Sequence, residues 1–170
     1  VEDEKVKTVR VNMGTPILKS KDVPVVSDKE QVIDEPIKVN DKEYRITCVS
    51  MGNPHAVTFI DDTDSLEIEK IGPLFENNEI FPDRVNTEFI QVVDRNNIKM
   101  RVWERGSGET LACGTGACAS VVACVLNGLT ENKVTVSLLG GDLFIEYNQE
   151  ENVVYMTGPA TISFTGNIEV

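Results

Sequence analysis

The residues best placed to do chemistry lie in one stretch, Glu104-Arg105-Gly106-Ser107-Gly108-Glu109-Thr110-Leu111-Ala112-Cys113-Gly114-Thr115-Gly116-Ala117. It leaves a predicted strand, crosses a glycine-rich loop and enters a predicted helix, with Cys113 at the helix opening. A thiol in that position faces the positive end of the helix dipole and backbone N–H groups without intrahelical partners. Those groups favour the thiolate and predict a lowered thiol pKa. They can also hold a carboxylate. Small residues in such a turn serve close packing too, and a free cysteine is often only a small buried hydrophobe. Spacing alone leaves both readings open.

A second group of polar residues precedes this stretch. Asn53-Pro54-His55 forms a turn between two predicted strands, where a scaffold can present side chains. His55 can orient a substrate or adjust a neighbouring thiol; it can equally be a surface histidine on an Asx-type turn. Asn86 opens a strand and by itself indicates little. Arg105 can grip a carboxylate through two hydrogen bonds, and Glu104 can share a proton network with His55. The simpler reading of Glu104 and Arg105 is a solvated ion pair.

The elements that must position these groups follow from periodicity. Residues from Ala117 to Val125 are small or apolar almost throughout, which predicts a helix buried on all sides, stopped by Asn127-Gly128. Val6 to Val11 alternates as a strand. Residues 15–35, with Pro16, Pro24 and Asp34-Glu35-Pro36, read as linker. Ile37–Val39 and Tyr44–Val49 flank Asn40-Asp41 as a hairpin, and Ala56–Ile60 follows as a strand. Asp64-Ser65 offers an N-cap for a helix from Leu66 to Phe75, with Pro73 in its last turn. Val85–Val93 and Ile98–Arg105 pair as strands. So do Val134–Leu139 and Leu143–Tyr147 around Gly140-Gly141. Val153–Thr157 and, beyond a break at Gly158-Pro159, Ala160–Thr165 complete the list. About nine strands and two helices, mostly joined by hairpins, give an α+β fold: mostly antiparallel, barrel-like sheet wrapped around a buried central helix. The order is not alternating β-α-β, no glycine motif follows the dinucleotide pattern, and there is no internal repeat.

Composition narrows the function classes. The chain has 170 residues, 41% of them hydrophobic, and a net charge of −12. That charge argues against nucleic acid or an anionic membrane surface as partner, but not against a small anion held by local donors. No apolar run approaches the ~20 residues of a membrane span. The charged start shows no signal peptide, and the lack of an initial Met fits either a piece cut from a longer chain or removal of a tag. Cys48, Cys113, Cys118 and Cys124 read as thiols in a reducing cytoplasm, since three crowd one loop-helix unit. A metal is not expected: there is no Cys-x-x-Cys, and His55 is the one histidine.

Met51-Gly52-Asn53-Pro54-His55-Ala56-Val57, Phe81-Pro82-Asp83-Arg84-Val85-Asn86, Trp103-Glu104-Arg105-Gly106 through Cys113-Gly114-Thr115-Gly116-Ala117, and Gly158-Pro159-Ala160 stand in one order across residues 36–165. With them the chain resembles the C-terminal portion of the diaminopimelate epimerase family. The related proline racemases share the Cys-Gly-Thr-Gly element but not its longer context. The resemblance implies a PLP-independent isomerase, needing no cofactor, that interconverts LL- and meso-diaminopimelate in lysine and peptidoglycan precursor synthesis. It implies that Cys113 is one of two cysteines facing the α-carbon from opposite sides. It further implies that Gly114 and Thr115 bind the reacting carboxylate through backbone N–H groups, that Asn53, Asn86, Glu104 and Arg105 contact substrate, and that His55 and Glu104 tune the reaction. The family's other cysteine stands in a Cys-Gly-Asn-Gly element, which this sequence lacks. The resemblance also implies that residues 1–13 and about 159–170 belong to a first domain and 14–158 form the second, the last stretch being a strand returning to the first domain. The fragment is expected to be inactive alone, with the missing N-terminal domain as partner and self-association into a homodimer as a further expectation. Two rival functions remain: a non-catalytic module that binds small carboxylates, and a hydrolase with Cys113 as nucleophile and His55 as base.

Overall fold

The structure is a computed structural model that describes residues 6–169. The expectations for residues 1–5 and for residue 170 lie outside the described residues. Among the described residues ten strands form one sheet: β1 (Thr8–Gly14), β2 (Glu35–Val39), β3 (Lys42–Ser50), β4 (Pro54–Phe59), β5 (Asn86–Asp94), β6 (Asn97–Glu104), β7 (Gly108–Glu109), β8 (Lys133–Leu138), β9 (Gly141–Asn148) and β10 (Val153–Pro159). Their spatial order is β1-β10-β9-β8-β6-β5-β4-β3-β2, with β7 paired to β6. All neighbours are antiparallel except β4–β5 and β6–β8, whose parallel pairing requires crossovers through helices. The crossovers are α1 (Ile68–Glu76) and α2 (Gly114–Leu126).

The sheet is organised by α2. Gly116 to Cys124 are all buried, and the helix touches β3, β4, β5, β8, β9 and β10, strands from both halves of the sheet. The sheet is therefore curled around it, as the apolar, small-residue sequence predicts. The wrapping is open among the described residues, since β1 and β2 end the order without pairing to each other. On the other face α1 packs against β5 and β6. Phe75 meets Tyr44 and Phe89 edge-on at ring separations of 5.2 and 5.4 Å. The central strands thus serve two cores. Val49, Val57 and Ile90 face α2, while Cys48, Ala56 and Phe89 face α1. No helix among the described residues is long and apolar enough to cross a membrane.

The β2–β3 hairpin follows its sequence signal closely. Asn40 and Asp41 both take positive φ, 48° and 62°, and Val39 pairs with Lys42 across them, the geometry of a type I′ turn. Four expectations need correction. Residues 15–35 are not a free linker: Val23, Val25 and Val32 are buried in the α1-side core, and only a short 3-10 turn at Ser20–Asp22 marks the segment locally. Helix α1 starts two residues late, because Asp64 instead pairs with Lys99 and its N–H folds onto Asp62, leaving Glu67 to precede the helix without a side-chain cap. Gly158-Pro159 does not break β10, which continues through it opposite Thr8 and Val9. Ala160–Thr165 is not a strand: β10 already has β1 and β9 on its two edges, and Ile162 and Phe164 stand exposed.

Candidate active site

One end of the sheet gathers the predicted residues. The parallel β4–β5 pairing sets His55 opposite Asn86 at the start of both strands. Antiparallel β6 delivers Glu104 and Arg105 to the same end, and α2 begins there with Cys113 as its N-cap residue. The extended backbone of Cys113 (φ −137°, ψ 106°) turns its sulfur back over the first turn, where Sγ accepts from the Gly116 N–H at 3.4 Å. The first i→i−4 bond of α2 runs from the Ala117 N–H to the Cys113 carbonyl. The N–H groups of Gly114 and Thr115 therefore have no intrahelical acceptor.

Beside the sulfur runs a chain of side chains. The Thr115 hydroxyl lies 3.6 Å from Cys113 Sγ, and Asn53 Nδ2 donates to Thr115 Oγ1 at 3.3 Å. Asn53 Oδ1 lies 3.0 Å from His55 Nε2, and His55 Nδ1 lies 2.6 Å from Glu88 Oε1. His55 and Glu88 are both fully buried, so His55 is not a surface histidine. Glu88 was not among the expected site residues. The available signal was an acidic residue in the middle of the strand Val85–Val93, next to Phe89-Ile90 and on the strand face that points at α2. Gly116 is required by the same packing, because a Cβ there would meet Glu88 Oε1 at 2.6 Å and Cys113 Sγ at 3.2 Å.

The thiol does not behave as helix position alone predicts. Cys113 is pushed up to about 11, first by burial and then by the nearby Glu88 carboxylate, with Glu104 adding a little. The Thr115 hydroxyl and Gly116 N–H pull the other way without winning. Desolvation of the thiolate outweighs the donors at the helix end, and the chain as described holds Cys113 as a thiol at neutral pH. Burial raises the other three thiols as well, Cys118 and Cys124 to about 12. Those three are at most 1% exposed and lie inside the core.

The remaining expected residues form the rim. Asn86 is buried and its amide bridges two loops, donating to the Pro54 carbonyl and accepting from the Arg105 N–H, each at 2.9 Å. Arg105 donates through one guanidinium nitrogen to the Asp83 carbonyl and has no carboxylate partner among the described residues, so it is not the solvated ion pair with Glu104 that the sequence allows. Glu104 accepts from the Thr110 hydroxyl; it does not reach His55, whose two ring nitrogens are taken by Glu88 and Asn53. The loop itself is pinned from below by Glu76, which accepts from Arg84, from Trp103 Nε1 and from the Gly106 N–H. No cluster of metal-ligating side chains occurs among the described residues. What the site offers is one thiol, a set of N–H and hydroxyl donors around it and an unpaired guanidinium, a combination suited to proton transfer at a carbon next to a carboxylate.

Comparisons with known proteins fit this geometry. The fold matches a hydroxyproline epimerase from Agrobacterium vitis with a TM-score of 0.66 at 12% identity, over 94% of this chain and 51% of that one. The chain is 58% identical over its whole length to a diaminopimelate epimerase of Acetivibrio thermocellus and 57% identical to one of Methanococcus maripaludis. It spans about 61% of the length of each of these curated relatives. Residues 47–163, which hold every site residue named above, match the family model described as diaminopimelate epimerase, and with that match the chain belongs to the diaminopimelate epimerase family.

Proposed function

We infer that the protein to which this chain contributes inverts one α-carbon of diaminopimelate, interconverting the LL and meso forms without PLP, as a step in making lysine and peptidoglycan precursors in the cytoplasm. The observation that carries this reading is the seating of Cys113 at the N-terminus of α2, its sulfur facing the Gly116 N–H and the Thr115 hydroxyl. An amino-acid α-proton is far less acidic than a thiol of pKa ~8.5. Without an electron sink, aimed donors and exclusion of water must stabilise the carbanion-like charge. The free N–H groups of Gly114 and Thr115 are the donors for the α-carboxylate, and Arg105, with Asn53, Asn86 and Glu104, forms the rest of the substrate cradle. Cys113 works on one face of the α-carbon as acid in one direction and base in the other, with His55 and Glu104 tuning it. The opposite face takes a second thiol from chain outside this sequence.

On this reading residues 14–158 form one domain, and residues 1–13 and 159–170 belong with a second domain that closes over the site. The exposed Val9 and Val11 on β1 and the exposed Ile162 and Phe164 support that assignment. The test is α-proton exchange of LL-diaminopimelate in D₂O, followed by NMR, with this chain alone and with the N-terminal half added. Exchange and inversion only with the added half, lost again in Cys113→Ala, is the expected result. Exchange by this chain alone would place the second base within it or in a self-associated copy. Exchange by the pair with Cys113→Ala would remove Cys113 from the reaction, and no exchange in either case would favour a carboxylate-binding module.

A further inference from the structure

Glu88 has no role in the reading above, yet it is the most deeply buried carboxylate beside the thiol. Its Oε1 lies 2.6 Å from His55 Nδ1, and its Oε2 is buried with no hydrogen-bond partner among the described residues. An ionised carboxylate in that setting is costly unless a neighbouring charge cancels it. The hydrogen-bond chain decides how that happens. With Asn53 Nδ2 donating to Thr115, Asn53 Oδ1 is left to face His55 Nε2, and an amide oxygen accepts only. Nε2 must therefore carry a proton. A second proton must then lie in the short Nδ1–Oε1 contact, since two acceptors do not approach to 2.6 Å. Whether that proton sits nearer nitrogen or oxygen, the pair holds two protons and no net charge. Turning the Asn53 amide over would let a neutral His55 accept at Nε2, but it would leave Glu88 an uncompensated buried anion.

We propose that Glu88 is a positioning residue: it locks His55 into a net-neutral pair protonated at Nε2, and through Asn53 it orients Thr115 to give its hydroxyl proton to Cys113 Sγ. The direction of the chain then matters for chemistry. Thr115 Oγ1 receives the Asn53 amide proton, so its own proton is free for the sulfur, which gains a second donor beside the Gly116 N–H. Thiolate at Cys113 is met by two donors and by no nearby net charge from the pair. Cys118 and Glu104 interact with Cys113, while the titratable groups shown to feel Glu88 are Cys48 on β3 and Cys113 at the start of α2. Glu88 acts against their thiolates only as far as His55 leaves its charge uncompensated. The proposal rests on Cys113 as the proton-transferring thiol, but its test needs no turnover.

His55 is the chain's one histidine, so long-range ¹H–¹⁵N spectra of the full chain report it without overlap. The expected wild-type spectrum shows a protonated Nε2 and a strongly downfield proton in the Nδ1–Glu88 bond. A bare Nε2 with the proton on Nδ1 alone overturns the proposal. Glu88→Gln provides the second arm, because its amide can donate to Nδ1 and keep Nε2–H. The pH midpoint for alkylation of Cys113, read by peptide mapping, should then stay within about half a unit of wild type. Glu88→Leu, which offers Nδ1 nothing, should raise that midpoint and scramble the histidine tautomer. A fall of about one unit or more in Glu88→Gln, a tenfold gain in thiolate, would mean that Glu88 was a bare anion and would overturn the neutral pair. Failed α-proton exchange with intact His55 spectra would count against the epimerase reading alone.

Discussion

Gly116 is the position where the packing beneath the thiol can be probed by a single methyl group. Gly116→Ala should destabilise the chain, although helix propensity argues the opposite. In an open helix, alanine is favoured over glycine by about 1 kcal/mol. Here the new Cβ would come within 2.6 Å of Glu88 Oε1 and 3.2 Å of Cys113 Sγ. Relief needs a shift of roughly half an ångström by one partner, and overpacking of this kind costs about 1–3 kcal/mol. Glu88 cannot retreat cheaply, because the same Oε1 holds His55 Nδ1 and weakening a charged hydrogen bond adds about 1.5–3 kcal/mol. Helix α2 cannot shift cheaply either, since it is packed from Gly116 to Cys124. After subtracting the propensity gain, a net loss of about 1.5–5 kcal/mol remains. At about 2–4 °C per kcal/mol for a chain of this size, Tm should fall by about 3–20 °C. The assay is thermal unfolding followed by circular dichroism, with Gly166→Ala, which meets nothing within 4 Å, as a neutral control. An unchanged or higher Tm in Gly116→Ala, with the His55 resonances unmoved, would refute the claim that Glu88 and Cys113 are locked against the helix start.

Two further perturbations test other parts of the structure. The buried thiols have folded pKa values above their unfolded ones, so their contribution is complete below about pH 8.5 and is lost as pH rises toward the folded values, at about 1.4 kcal/mol per unit for each thiol. Urea midpoints should therefore fall from pH 8 to pH 10, and less steeply in Cys124→Ala; a flat profile would show that the unfolded chain gains nothing by ionising. Glu76→Ala removes the acceptor of Arg84, Trp103 Nε1 and the Gly106 N–H, and the stranded donors should cost about 2–4 kcal/mol and change the emission of Trp103, the one tryptophan. Unaltered fluorescence and stability would show that the loop at Gly106 does not depend on Glu76.

What could be read from the sequence was whatever local chemistry determines. Asn40-Asp41 fixes its turn because both residues tolerate positive φ, and the run from Ala117 to Val125 reads as a buried helix because it carries almost nothing to put in water. Cys113 was legible as the N-cap for the same local reason. Its raised pKa was not, because desolvation is set by how completely strands distant in sequence close over the sulfur. Val23, Val25 and Val32 have no periodicity to betray them; they are buried by a core whose other members begin at Ile37. Glu88 was missed because alternation places it on a strand face, whereas only the parallel pairing of β4 with β5 shows that this face also carries His55.

That parallel pairing is the structural decision on which the site depends. A hairpin between β4 and β5 would have placed the start of one strand beside the end of the other. His55 and Asn86 would then sit at opposite edges. The crossover through α1 instead aligns the two starts, so Asn53, His55, Asn86 and Glu88 approach one edge from segments some thirty residues apart. Antiparallel β6 must then run back toward that edge, ending in Glu104 and Arg105 beside Asn86, whose amide ties the Arg105 backbone to Pro54. The next segment leaves from the same edge, and only a helix that dives through the curled sheet can carry it to β8, which runs parallel to β6. The N-terminus of α2 is thereby compelled to open where the polar side chains already converge. Cys113 meets its donors because two parallel crossovers leave no other place for that helix to begin.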